Sequence, residues 1–243
     1  MSRIAVVGYG LACYAIFIVA VAYLMGFATG WLVPKSVNDG LSRPWAMALA
    51  VDLLLIALFA VQHTIMVQPR FKRFMHRLLP AACERATFVL ASSLVLILIF
   101  LLWSPLPGTL WSIEQPWLRR LMWAGCAFGW CLALISTFQF DHFSLFGLRQ
   151  VWGHLRGRPA SDDSPFMVPW LYQWVRHPMM TGFLIAFWVM PDMSTSQAVL
   201  AAGFTVYIGL GTQHEERGLY REFGDSYRAY AARTPRFFPR ILR

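Results

Sequence analysis

Apolar residues run along this chain in long, nearly unbroken blocks, and the polar positions gather between the blocks instead of alternating within them. Ile4 to Leu32 is almost wholly apolar, interrupted by Gly8, Gly10, Gly26 and Gly30. Blocks of this kind predict helices bathed in lipid, because crossing about 30 Å of hydrocarbon takes roughly 20 residues. Further spans are predicted at about 44–67, 86–106 and 118–139. Two shorter pieces follow, Met179–Met190 and Gln197–Gly211, separated by Pro191-Asp192-Met193-Ser194. As a helix the first is only about 18 Å long, which predicts a hairpin dipping into the membrane or a pair of short helices sheltered by the others.

The expected fold is therefore all-α: a polytopic membrane helix bundle of four full transmembrane helices plus a short helical hairpin, five to six spans in all, with a cytoplasmic amphipathic tail. One domain is expected over 1–243, with a four-helix part at 1–139 and a cytoplasmic-face part at 140–243. Ala20-Val21-Ala22 has the small residues of a signal-peptidase site. Apolar sequence continues past it, beyond the roughly 7–15 residues of a signal h-region, so a retained first helix is expected. Gly8-Tyr9-Gly10 lacks the acidic residue that a dinucleotide fold places about 20 residues on, and helix packing accounts for these glycines better. Gly26-x-x-x-Gly30 has the spacing of a small-residue helix contact.

Composition agrees: 58% of residues are hydrophobic and 14% charged, with a mean hydropathy of +0.51. A soluble domain has about 25% charged residues. The net charge of +9 does not point to nucleic acid, because Lys and Arg lie in the connections and the tail, where they orient helices and meet anionic lipid. With the N-terminus in the cytoplasm, Arg3, the 68–85 and 140–177 connections and the tail hold seventeen of the 21 Lys and Arg. That asymmetry predicts cytoplasmic termini. Cys13, Cys83, Cys126 and Cys131 have no metal or disulfide spacing and read as small core residues.

Candidate chemistry sits at the edges of the two short pieces. Pro178 suits the first position of a helix, which puts Arg176 and His177 beside free backbone amides that favour an anion such as a carboxylate. Glu215 and Glu216 lie at an apolar boundary, where adjacent carboxylates cost desolvation unless partnered. Ribose hydroxyls, an α-ammonium group or a nearby Arg would serve. His214-Glu215-Glu216 lacks the second His of a zincin, so no metal site is expected. His63, inside the second span, is a functional hypothesis by position, and His142 stands just beyond the fourth; either could take a proton near neutral pH. The 140–177 connection is too long for a simple turn and too aromatic for disorder. The tail reads as helix to Phe223, a Gly224 stop, Asp225 as N-cap and an amphipathic helix Ser226–Ala232, with Tyr227 and Tyr230 facing inwards.

Arg176-His177-Pro178 with Gly182, then Glu215-Glu216, Phe223-Gly224, Tyr227, Tyr230, Pro235 and Pro239, resembles the membrane methyltransferase superfamily that includes isoprenylcysteine carboxyl methyltransferases and phospholipid N-methyltransferases. Phe59–His63 with Pro69, Phe71-Lys72-Arg73 and Glu84-Arg85, and His142-Phe143 with Leu145–Gln150 and Trp152, look like the bacterial methanethiol S-methyltransferases, a similarity running from about residue 44 to 240. The resemblance implies S-adenosyl-L-methionine as methyl donor, a small thiol as acceptor and dimethyl sulfide as product. It implies a cofactor site of Tyr172, Arg176, His177, Pro178, Gly182, Glu215, Glu216 and Tyr227. Met180 departs from it, standing where the superfamily usually has Tyr. A thiol must become a thiolate to attack, so His63 or His142 is the expected base, with Arg149, Gln150 or Arg85 positioning it or stabilising charge. Other acceptors (hydrogen sulfide, another small thiol, a prenylcysteine carboxylate, a lipid amine) and a non-catalytic, denitrification-associated membrane protein are the competing expectations.

Overall fold

A computed structural model describes residues 1–157 and 167–239 of the chain. Residues 158–166 of the long connection, with Arg158, and residues 240–243, with Arg240 and Arg243, lie outside the described residues. Among the described residues four helices are long and apolar enough to cross a membrane: α1 (Arg3–Thr29), α2 (Trp45–Val67), α4 (Glu84–Leu102, entered by a short 3-10 turn at Ala81–Cys83) and α5 (Pro116–Phe140). Large apolar side chains on their outer faces, among them Leu54, Leu101 and Leu121, are exposed. This is the surface of a polytopic helical membrane protein, whose outer face meets lipid in place of water.

The chain forms two compact units. One comprises 1–108 and the described part of 141–162, the other 109–140 and the described part of 163–243. In the first, α1 packs on α4 and α4 on α2. Between α2 and α4 lies α3 (Pro69–Leu78). Two short helices, α6 (His142–Leu145) and α7 (Leu148–Leu155), fold back on the start of α1 and α4. Val151 of α7 packs with Val6, Ala82 and Cys83. Gly10 is required there, since a Cβ would come within 2.7 Å of Val151.

Several boundaries differ from expectation. The third long helix ends at Leu102, not near 106, because Trp103 turns extended and Pro105 disfavours helix in the residue before it. Gly26 and Gly30 make no contact between helices. Gly30 takes the left-handed cap (φ 77°) that ends α1, donating to the Gly26 carbonyl, and Gly26 makes room for Val33 in the following turn. Asp52, inside α2, is fully buried and accepts a hydrogen bond from the Ser104 amide at 3.0 Å.

In the second unit α8 (Pro178–Trp188) lies against α5. A Cβ on Gly182 would come within 2.5 Å of the Ala133 amide, and one on Gly129 within 2.6 Å of the Ala186 amide. Backbone therefore meets backbone along this seam, as small residues allow between membrane helices. α8 has only 11 residues, about 16 Å of helix, and the chain continues extended from Val189.

That extended stretch ends in a strand, β2 (Asp192–Ser194), which pairs antiparallel with β1 (Thr109–Ser112), with Trp111 opposite Met193 and Ser112 opposite Asp192. The two-stranded ribbon is the departure from an all-α reading, and non-helical backbone at this depth must find partners. Trp111 Nε1 donates to the Met190 carbonyl at 3.0 Å and the Ile113 amide to that of Pro191 at 2.9 Å. Arg119, near the start of α5, holds Asp192 at 2.7 Å. The tip of the hairpin is thus tied to the beginning of α5, while Gly182 crosses α5 near Ala133; α8 and its extension together run most of the length of that helix.

The second helix of the hairpin is not short. α9 runs Thr195–Arg233, opened by a capping box of Ser194 and Gln197 and broken only where Gly224 leaves helical geometry (φ 52°, ψ −121°). Its apolar pattern ends near Gly211, but its backbone does not. Cys131 is exposed on α5, unlike the buried Cys13, Cys83 and Cys126, so the expectation of four core cysteines holds for three.

Candidate active site

Every residue of the expected cofactor set lies in the second unit, and Arg176 and His177 converge on Glu216. On α9 Ile208, Thr212 and Glu216 are all buried. They recur every fourth residue and so share one face of the helix. Glu215 lies about 100° around the axis, and its side chain keeps 55% of its surface accessible against 4% for Glu216.

Pro178 starts α8 immediately after His177, which leaves the amides of Arg176 and His177 outside the helix. Those amides donate to the carbonyls of Pro235 (2.9 Å) and Arg236 (3.1 Å). Thr181, one turn into α8, donates its hydroxyl to the Phe237 carbonyl at 2.6 Å. The tail from Pro235 to Phe237 is thereby strapped along the entry to α8.

The strap brings in Arg236. Its Nη2 donates to Glu216 Oε2 at 2.6 Å and its Nε to Oε1 at 3.2 Å, while His177 Nε2 is 2.9 Å from Oε1. Arg176 Nε lies 3.1 Å from the same oxygen as an ion pair, outside hydrogen-bond geometry. Burial pushes the Glu216 carboxyl up, but the hydrogen bonds from Arg236 and His177 and the two guanidinium charges outweigh it and hold the group below its ordinary range. Glu216 is a pinned anion, and with two guanidiniums around it the cluster carries one net positive charge.

Glu215 is its opposite. Surrounding protein desolvates it and raises its pKa, the nearby His177 lowers it and Glu216 raises it further. His177 Nδ1 is 3.7 Å from Glu215, and the phenols of Tyr172 and Tyr207, both raised first by burial, sense its charge. Tyr230 donates to the Tyr172 carbonyl at 2.6 Å, and burial pushes its phenol up to about 12. Tyr227 is buried at 2% exposure and stacks edge-on with Tyr220 and Tyr230. Gly182 stands one turn further along α8, at the α5 seam, and Pro178 is buried at the head of the helix. Met180 is half-buried.

The expected base and its helpers lie in the first unit. His142 is 4% exposed and its Nε2 is 2.7 Å from the Tyr14 hydroxyl, with Phe143 and Phe146 edge-on to the ring. Burial lowers its pKa, opposed by the neighbouring Asp141. Asp141 is paired with Arg149. Gln150 donates to the Ser144 carbonyl and hydroxyl, both at 3.1 Å, so it braces α6. His63 Nδ1 is 3.3 Å from the Ser92 hydroxyl, between Phe59 and Phe88. Arg85, at the start of α4, packs beside Gly147, whose Cβ would come within 3.1 Å of its own.

Two residues escaped the reading of the sequence. Arg236 sits between Pro235 and Phe237 in the tail, and the need of two carboxylates for a cation was the signal that could have found it. Asp52, a lone carboxylate within a span, is the other; the rule that singled out His63 applies to it equally.

Long lipid-facing helices and a pinned ionic cluster beside one accessible carboxylate define an integral membrane protein with a buried polar centre. Comparison with known proteins makes this particular. The family model described as NnrU protein matches residues 52–239. Methanethiol S-methyltransferase 2 of Bradyrhizobium diazoefficiens is 43% identical over 99% of this chain and 92% of its own length. Methanethiol S-methyltransferase of Mycobacterium tuberculosis is 41% identical over 98% of both, and Nurim of Rattus norvegicus is 31% identical over 78% of this chain and 73% of its own. No solved structure matches. The chain belongs to the NnrU protein family and to the family of the methanethiol S-methyltransferases.

Proposed function

We propose that this protein methylates methanethiol to dimethyl sulfide with S-adenosyl-L-methionine as donor, as a single methyltransferase domain in the bacterial inner membrane with both termini cytoplasmic. The carrying observation is identity of 43% and 41%, over nearly the whole of both chains, to proteins named for that activity. The charge asymmetry of the connections supports the orientation.

The site in the second unit suits the donor. One net positive charge around Glu216 and one accessible carboxylate at Glu215 match the two ends of an amino-acid zwitterion. Arg176, Arg236 and His177 would hold its carboxylate and Glu215 its ammonium, with Tyr172 and Tyr227 nearby and Met180 as an apolar contact. When bound, S-adenosyl-L-methionine supplies a methyl group on a positively charged sulfur. The protein's work is to align the reactants and exclude water, and to take one proton. His142 or His63 accepts that proton from the thiol, and burial favours the neutral imidazole of His142. As the new sulfur–carbon bond forms, the old one breaks and its electron pair returns to the donor sulfur, so no further reactant is needed.

Headspace gas chromatography on the purified protein, given both reagents, tests the proposal. Dimethyl sulfide that requires both, and is lost in His177→Ala, is expected. Binding of the donor without product from methanethiol would move the reaction to another acceptor, such as hydrogen sulfide or a larger thiol. Neither binding nor product would favour a non-catalytic role, the reading left open by the NnrU match, whose description states no activity.

A further inference from the structure

The helix α3 is unlike every other helix of the first unit. It has four basic residues and no acidic one, in the sequence Pro69-Arg70-Phe71-Lys72-Arg73-Phe74-Met75-His76-Arg77-Leu78. Phe71, Phe74, Met75 and Leu78 fall at helical spacing on one face, and the basic residues on the other. Its place is set by its neighbours. Gln68 alone, in extended conformation, separates it from the end of α2, and Leu79 and Pro80 lead from it into the 3-10 turn before α4. A helix joining the adjacent ends of two spans lies at the boundary between hydrocarbon and water.

Its apolar face is only half used by the protein. Phe71 and Met75 are half-buried and line a groove with Met66 and Phe88. Phe74 and Leu78 are 52% and 64% exposed. The basic face divides in the same way. Lys72 and His76 both turn to Glu84, at 2.9 and 2.6 Å. Arg70, Arg73 and Arg77, spaced along one edge, are exposed.

We propose that α3 is a docking surface for anionic phospholipid of the adjoining leaflet, with phosphate groups along Arg70, Arg73 and Arg77 and acyl chains against Phe74 and Leu78. Charge and polarity both select this occupant. A row of guanidiniums suits phosphate oxygens, and two exposed apolar side chains beside that row need hydrocarbon at the same depth. Each basic side chain near an anionic leaflet contributes roughly a fivefold preference.

The test is backbone hydrogen exchange of residues 69–78 in the full-length protein, in nanodiscs of phosphatidylcholine alone or mixed with phosphatidylglycerol. At least about tenfold slower exchange in the anionic discs is expected. That difference should vanish in the combined Arg70→Gln, Arg73→Gln, Arg77→Gln variant and persist with lysine at the same positions. Equal exchange of the wild-type protein in the two lipids would overturn the proposal even if the glutamine variant failed to fold. So would equal protection from soluble glycerol phosphate in phosphatidylcholine discs, which would make the site one for free phosphate.

Discussion

The polar groups of the two units answer the cost of burial in opposite ways. In the second, Glu216 is fixed by Arg236, His177 and Arg176 within 3.2 Å, and the strap that delivers Arg236 is itself held through three backbone carbonyls. In the first, His142 lies beside the Tyr14 hydroxyl and His63 beside the Ser92 hydroxyl, both among aromatic rings. Charge in the second unit is enclosed by countercharge, whereas the histidines of the first are set among rings and hydroxyls. Under the proposed function binding falls to one region and proton transfer to the other, and substitutions can break that contrast.

The largest effect belongs to Glu216. Glu216→Ala leaves two guanidiniums and His177 around a vacated anion, and removing one partner of a buried ion pair costs about 3–5 kcal/mol. Thermal unfolding should show that loss together with release of the tail to protease. Glu215→Ala, one residue away, should unfold no earlier than the wild type, since ionised Glu215 disfavours the folded state, yet lose affinity for the methyl donor; equal destabilisation by both would erase the distinction between pinned and open carboxylates. Next comes the base. Alanine at the true base should lower kcat by about 10²–10⁴-fold, while alanine at the other histidine and Tyr14→Phe should cost far less. Gly182→Ala should destabilise by roughly 1–3 kcal/mol through overpacking against Ala133, read from unfolding of the second unit.

The smallest effect is with pH. Glu216 has a depressed folded pKa, so its stabilisation is present above the ordinary glutamate value of about 4.3 and is lost as pH falls through and below it. Glu215, raised on folding, acts with the opposite sign: it disfavours the folded state once ionised, and that cost disappears on acidification. Glu216→Gln should therefore flatten the acid limb of the stability profile, and Glu215→Gln should steepen it. His142, depressed by burial, loses stability as pH falls below about 6.5, toward its lower folded value.

The long helices were legible because lipid demands a near-continuous apolar run from any helix that crosses it. The ribbon was not: Thr109–Ser112 and Asp192–Ser194 are short, and their pairing joins residues some eighty positions apart, which no local pattern announces. The length of α9 was partly hidden, since its apolar face ends near Gly211 while its hydrogen bonds continue. Arg176, His177, Glu215 and Glu216 were readable as a set. The division of labour within the pair needed the phase of the helix, although the buried line Ile208, Thr212, Glu216 was already present in the spacing. Arg236 needed the strap, a tertiary feature that Pro235 and Pro239 only hint at. Asp52 vanished into the hydropathy of its span.

The central claim is that Glu215, beside the Glu216 cluster, holds the methyl donor. Calorimetric titration of S-adenosyl-L-methionine into the purified wild-type protein and into Glu215→Gln, with unfolding followed on the same samples, tests it most directly. The account predicts saturable one-site binding to the wild type and at least about tenfold weaker binding to a variant that unfolds at the same temperature or above it, as loss of a charge-assisted contact of about 1.5–3 kcal/mol would give. Undiminished affinity in a well-folded Glu215→Gln protein would contradict it and place the donor elsewhere.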